Sequence, residues 1–198
     1  MSEADAIIDL YERHADAWAA GRTGPVFEAP WLDRFLSRVG TGKILDIGCG
    51  SGWPIAQYFL KAGFDVHGVD SSPALIGLCR KAFPASTWEV GDMRSLDIGQ
   101  TFDGLIAWHS LFHLTPADQR EVFPLFRKHA KPGAPLMFTS GPAHGEVVGQ
   151  WQDQPLYHGS LGPDEYTAHL SANGFDLVDH VVEDAQCGHA TIWLACAR

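Results

Sequence analysis

Leu45-Asp46-Ile47-Gly48-Cys49-Gly50-Ser51-Gly52 decides the fold. Lys43 to Ile47 reads as a short buried strand, Gly48 to Gly52 as a loop, and Trp53 to Ala62 as a helix that Gly63 stops. A backbone turning sharply from strand into helix needs positive φ, and a ligand passing close by leaves no room for a Cβ. Glycines at 48, 50 and 52 meet both needs. A dinucleotide fingerprint places its third glycine one position later, where this chain has Trp53. The Gly-Lys-Ser/Thr of a phosphate loop is absent. Asp46, just before the first glycine, repels a pyrophosphate but suits a cationic amine or sulfonium.

Two more acidic signals follow. Asp70 ends a second strand, Asp65 to Val69, where a carboxylate can take both hydroxyls of a ribose. It can also cap the helix that Pro73 opens, although Ser72 is the better cap. Gly91-Asp92-Met93 follows a third strand, Thr87 to Val90. Asp92 can accept from an adenine amino group or serve as a turn acid, and Met93 can pack on a ring.

Outward from these signals, strands alternate with helices. Pro73 to about Ala82 is helical, Asp103 to Trp108 a strand, Pro116 to Ala130 a helix and Leu136 to Thr139 a strand. Residues 141–162 read as irregular and polar-aromatic. A helix over Pro163 to Asn173 precedes two closing strands, Phe175 to Glu183 and His189 to Ala197. Before the core, residues 3–20 and 29–39 carry apolar residues at helical spacing. The pattern predicts an α/β, doubly wound, mostly parallel seven-stranded sheet of Rossmann-like type. A C-terminal antiparallel hairpin closes it, and an N-terminal helical cap lies over the strands' carboxyl ends. One domain over residues 1–198 is expected, with the cap over 1–40 and the core over 41–198.

Composition narrows the partners. Fourteen Lys and Arg against 24 Asp and Glu give a net charge of −10, which repels a phosphate backbone. The tightest basic group, Arg120, Arg127, Lys128 and Lys131, reads as a solvated helix face. Nucleic acid is therefore not the expected partner; a small molecule is. No apolar run approaches the ~18–20 residues of a membrane span. Met1 to Leu10 holds Glu3, Asp5 and Asp9 and does not read as a secretory signal. Cys49, Cys79, Cys187 and Cys196 form no CxxC pair and read as reduced thiols, so a cytoplasmic location is expected. Nothing in the chain sets the oligomeric state.

With its acid and glycine loop, its acid ending the second strand and its Asp after the third, the chain resembles the class I methyltransferases that use S-adenosylmethionine. The C-terminal hairpin and the segment Trp108-His109-Ser110-Leu111-Phe112-His113-Leu114 extend that resemblance to small bacterial members. It implies S-adenosylmethionine as cofactor and methyl transfer to a small molecule by in-line displacement. By the same resemblance Asp46, Gly48, Cys49, Gly50 and Gly52 hold the methionine part, Asp70 and Ser71 the ribose, and Asp92 and Met93 the adenine. Trp108 and His109 lie beside the sulfonium. Tyr11, Trp18 and Arg22 close over the cofactor, with Arg22 pairing to its carboxylate.

His113 is the candidate general base and a candidate acceptor contact. His144, Tyr157 and His158, in the 141–162 loop, are candidate acceptor contacts. His109 and His113 are spaced to share a metal, but no Cys or carboxylate partner stands at ligand spacing, so no metal is expected. Trp53 can be core, cap contact or substrate wall, and Trp151 part of the substrate wall or a loop anchor. His67, His129, His169 and His180 read as ordinary strand or surface histidines. Two rival readings remain: a non-catalytic protein binding S-adenosylmethionine or S-adenosylhomocysteine, and a nucleotide-dependent oxidoreductase. Trp53 in place of the third glycine, and Asp46, oppose the latter.

Overall fold

The computed structural model describes residues 4–22 and 24–198. Its main sheet has seven strands: β1 (Lys43–Ile47), β2 (Asp65–Asp70), β3 (Thr87–Val90), β4 (Gly104–Ala107), β5 (Pro135–Ser140), β8 (Phe175–Asp184) and β9 (Ala190–Ala197), the last two numbered after a separate hairpin. Their order is β3-β2-β1-β4-β5-β9-β8. The first five pair in parallel; β9 runs antiparallel to β5 and to β8. The expected sheet and closing hairpin are therefore present.

Helices cover both faces. Those on one side are α3 (Ala29–Val39), α4 (Ile55–Lys61) and α5 (Pro73–Ala82), packed on Ile44, Ile106 and Leu194. On the other, α6 (Pro116–His129) and α7 (Pro163–Ala172) pack on Leu45, Ile47 and Phe138. Adjacent residues of β1 thus feed opposite cores, as strand alternation demands. In α3, Trp31, Leu32, Phe35 and Val39 form the buried stripe. That helix approaches β4 so closely that a Cβ at Gly104 would sit 2.7 Å from Val39. Ser72 caps α5 by accepting from Leu75 N–H, and Thr115 caps α6 by accepting from Asp118 N–H.

Two segments differ from expectation. The helix expected over residues 3–20 is two, α1 (Ala6–Arg13) and α2 (Ala15–Gly21), broken at His14, where φ is −116° and ψ 23°. Its expected first residue, Glu3, lies outside the described residues. The segment 141–162 is not irregular. It holds an antiparallel hairpin, β6 (Gly145–Trp151) and β7 (Gln154–Ser160), in a sheet of its own. The turn residues Gln152 and Asp153 have φ of 52° and 56°, the conformation a tight two-residue hairpin turn requires.

Gln119 anchors this hairpin. Its buried amide donates to the carbonyls of Leu114 and Gly159, both at 2.9 Å, and accepts from Tyr166 Oη–H at 2.5 Å. The α6 helix, the C-terminal end of β7 and α7 meet there. Nearer the turn, Tyr157, Leu156 and Trp151 pack on Ile7, Leu10 and Tyr11 of α1. His129, expected as a surface or strand residue, is buried in the last turn of α6. It accepts from Ile98 N–H at 3.0 Å and faces the Leu125 carbonyl at 2.7 Å.

Candidate active site

The strand order reverses between β1 and β4, which opens a crevice at the strands' carboxyl ends, the usual ligand position in an open α/β sheet. A cavity of about 100 Å³ occupies it. Gly48, Gly50, Asp70 and Ser71 form its floor, and Asp92 and Met93 one side. His109, Ser110 and His113 form the other. Ile7, Ile8, Tyr11 and Trp18 roof it from α1 and α2. Ser110 Oγ–H donates to the Ile47 carbonyl at 2.7 Å, tying the end of β4 to the glycine loop. Gly48, at φ 73°, lies so close to that contact that a Cβ there would meet Ser110 Cβ at 2.3 Å.

Asp70 and Asp92 line this crevice, and Asp46 is buried behind its lining. Asp46 is 2% exposed, and among the described residues its Oδ2 has no hydrogen-bond partner. Burial, then repulsion from Asp70, pushes its pKa up to about 7. Asp70 accepts from Gly50 N–H at 2.8 Å and Ser72 N–H at 2.9 Å, so it shapes the loop that follows β1. Burial raises its pKa, and those two amides oppose the rise. A carboxylate has about four acceptor sites, so Asp70 can take further hydroxyl donors. Asp92 accepts from Arg94 N–H at 2.9 Å and pairs with its guanidinium at 2.6 Å. Burial opposes its charge, but the Arg94 contacts prevail and hold its pKa below the usual range.

Opposite the carboxylates stand neutral imidazoles. His109 takes φ 52°, rare for a side chain of its size, and donates its N–H to Thr139 Oγ1 at 2.9 Å. Burial, then Arg22 and His158, lowers its pKa to about 4. Burial lowers His113 to about 3. A neutral ring has one donor and one acceptor nitrogen. His113 Nδ1 lies 2.9 Å from the Tyr157 carbonyl and must donate, so Nε2 accepts from Tyr11 Oη–H, also at 2.9 Å. Tyr11 in turn stacks on Trp151 and meets Trp18 edge-on, with centroids 5.7 and 5.0 Å apart. The cap and the hairpin therefore close over the cavity together.

A second cavity, of about 400 Å³, lies under the hairpin between Phe112, Ser140–Ala143 and Gly145–Val147. His158 lines it, and its ring is 5.2 Å from that of His113, so one layer of rings divides the two spaces.

Comparison with known proteins places this architecture. Residues 44–133 match the model of a methyltransferase domain family. This segment, just under half of the chain, is similar to a methyltransferase domain. A curated Streptomyces venezuelae protein, dTDP-3-amino-3,4,6-trideoxy-alpha-D-glucopyranose N,N-dimethyltransferase, is 28% identical over 117 residues, 54% of this chain and 49% of that protein. An Escherichia coli trans-aconitate 2-methyltransferase is 34% identical over 119 residues, 54% of this chain and 41% of its own length. The matches thus span about half of these relatives or less. Among solved structures, the amino pentose methyltransferase of Micromonospora echinaspora superposes with TM-score 0.72 at 21% identity, covering 92% of this chain and 96% of that one. The magnesium protoporphyrin IX methyltransferase of Synechocystis gives 0.76 at 15% identity, covering 100% and 98%. These likenesses establish the fold.

Not every expected site residue reaches the crevice. Tyr11, Trp18, Gly48, Gly50, Asp70, Ser71, Asp92, Met93, His109 and His113 line it. Asp46, Cys49, Gly52 and Trp108 lie behind this lining; Cys49 and Gly52 belong to the turn, and the Trp108 indole is buried with Nε1 unpartnered. Arg22, expected to pair with a ligand, instead gives a hydrogen bond to buried Glu28 at 3.1 Å. His144 is exposed and faces Glu165 at 3.4 Å, because the hairpin begins just after it and carries the chain away. Tyr157 contributes its carbonyl to His113, while its hydroxyl donates to Glu146 at 2.6 Å. His158 faces the second cavity. Trp53 packs on Phe83 at 5.5 Å and is no part of either wall. Sequence reasoning missed Glu28, Arg94 and Ser110. Of these, only Arg94 had a local signal, its place beside Asp92.

Proposed function

We propose that the chain transfers a methyl group from S-adenosylmethionine to a small-molecule acceptor. Asp70 and Asp92 on one crevice, with Asp46 buried behind its lining, carry this reading. Asp46 supports it most directly: a buried carboxylate with an unpartnered oxygen is costly, and a nearby cation relieves that cost. The donor set fits the cofactor. Asp46 and the glycine loop would face its methionine end, Asp70 and Ser71 its ribose, and Asp92 with Met93 its adenine. Arg22 would take its carboxylate on leaving Glu28.

When bound, S-adenosylmethionine would supply an activated methyl group for an acceptor lone pair, its carbon–sulfur electron pair staying on sulfur and any displaced proton leaving to solvent. The protein's share is proximity, orientation and exclusion of water. Aromatic rings of Tyr11 and Trp18 tolerate a cation above the floor. Neutral His109 and His113 add no positive charge to repel it. His113 accepts an acceptor proton only when Tyr11 releases Nε2; with that bond in place it orients rather than deprotonates. The relatives named above act on small molecules by their names, which supports a small acceptor.

Calorimetric titration with S-adenosylmethionine, S-adenosylhomocysteine and NAD tests the reading. Binding of the two adenosyl compounds without NAD is expected. Failure of both to bind removes it.

A further inference from the structure

We propose that the second cavity, under hairpin β6–β7, binds the acceptor, and that this acceptor is a small amine rather than a carboxylic acid. The inference rests on the methyl-transfer reading for the word acceptor, but the chemistry of the cavity stands by itself. A volume of about 400 Å³ is in the range of small-molecule sites. Phe112, Val147 and Pro142 supply apolar wall. Its ionisable lining is Glu146 and His158, and no Lys or Arg is among the lining residues.

The polar side chains there have their protons committed. Ser140 Oγ–H donates to the Gly141 carbonyl at 2.8 Å, and the same oxygen accepts from Trp193. Ser160 Oγ–H is spent on main-chain carbonyls, 3.0 Å from that of Leu161. Burial lowers the pKa of His158 and the Leu156 carbonyl opposes that fall, so the ring adds no fixed positive charge. Tyr157 Oη–H fixes Glu146 through Oε2 and leaves the other carboxylate oxygen able to accept. These side chains therefore offer acceptors and one negative charge. An ammonium or amine, which donates, is matched. A carboxylate, which needs donors or a cation, is not. Position adds a requirement: the His158 ring lies 5.2 Å from that of His113, which lines the crevice where the methyl donor is proposed to sit, so this ring layer must open for the amine nitrogen to reach the methyl.

Benzylamine, benzyl alcohol and benzoate share a shape and differ in charge. Their binding is to be read by ligand-observed NMR, first on the protein alone and then on protein saturated with S-adenosylhomocysteine. Benzylamine should bind at least tenfold more tightly than benzoate. Glu146→Gln should erase about tenfold of that affinity while leaving benzyl alcohol, S-adenosylhomocysteine and the melting temperature unchanged, since Glu146 is exposed. Benzoate binding as well as benzylamine, binding of none of the three, or a preference that survives Glu146→Gln overturns the inference. Failure of S-adenosylhomocysteine to bind, with the benzylamine preference intact, instead removes the methyl-transfer reading and leaves an amine site.

Discussion

At Asp46 a charge is held where water does not reach, with one oxygen unpartnered. The sign of its pH dependence is opposite to that of a salt-bridged aspartate. Its folded pKa of about 7 lies above the ordinary 3.8, so ionisation favours the unfolded chain. Stability is greatest below the ordinary value and is lost as pH rises from 3.8 to about 7. Asp70 shifts in the same direction. Asp46→Asn should therefore flatten the fall in melting temperature across that window, and should abolish the proton release that accompanies cation binding below pH 7. Melting curves and calorimetry in buffers of different ionisation enthalpy measure both. Asp46, Asp70 and Asp92 were legible because each stands at a fixed place beside a strand end. The Arg22–Glu28 pair was not, because it joins a helix end to a loop and no periodicity marks it. His113 was legible as a site residue, but its hydrogen bond to Tyr11 spans 102 positions of sequence.

The cap helices and hairpin β6–β7 are held together over the crevice by rings more than by main-chain bonds. Trp151 stacks on Tyr11 and meets His14 and Trp18 edge-on. Each such contact is worth ~0.5–1.5 kcal/mol beyond burial. Trp151→Ala should raise the dissociation rate of S-adenosylhomocysteine about tenfold, measured by stopped flow, since ~1.4 kcal/mol is a factor of ten. The main sheet is untouched, so the melting temperature should fall by no more than about 4 °C. This hairpin was illegible in the sequence for identifiable reasons. Val147 and Val148 are adjacent and both exposed, which destroys the alternation of a half-buried strand. Its turn uses Gln152 and Asp153 where a glycine would have announced it. The seven core strands carry either buried apolar runs or regular spacing from the glycine loop, and those signals survive in a single sequence.

Across the whole molecule a net charge of −10 surrounds a crevice lined by the carboxylates of Asp70, Asp92 and Asp118. That field favours a cationic ligand over a neutral one. S-adenosylmethionine carries one more positive charge than its demethylated product. Its affinity should therefore weaken more steeply with salt than that of S-adenosylhomocysteine, because the screening length falls from about 30 Å at 0.01 M to about 3 Å at 1 M. Titrations at several salt concentrations give the two slopes; equal slopes would deny the field any part in selecting the donor. The mostly parallel sheet and its closing hairpin were legible from the alternation of strands and helices, whereas the division of the space above the sheet into two cavities depends on side chains of the hairpin β6–β7. Gln119 sets how that hairpin can move. With Gly159 fastened to α6 and α7 while Gln152 and Asp153 reach free of the sheet, the hairpin is a lever with a fixed heel. Buried hydrogen bonds pin it beside Gly159, and ring contacts hold it beside Trp151. Residues added at the toe would lengthen its reach without loosening its pivot, so the space beneath the hairpin can diverge among descendants of this fold while the floor stays the same.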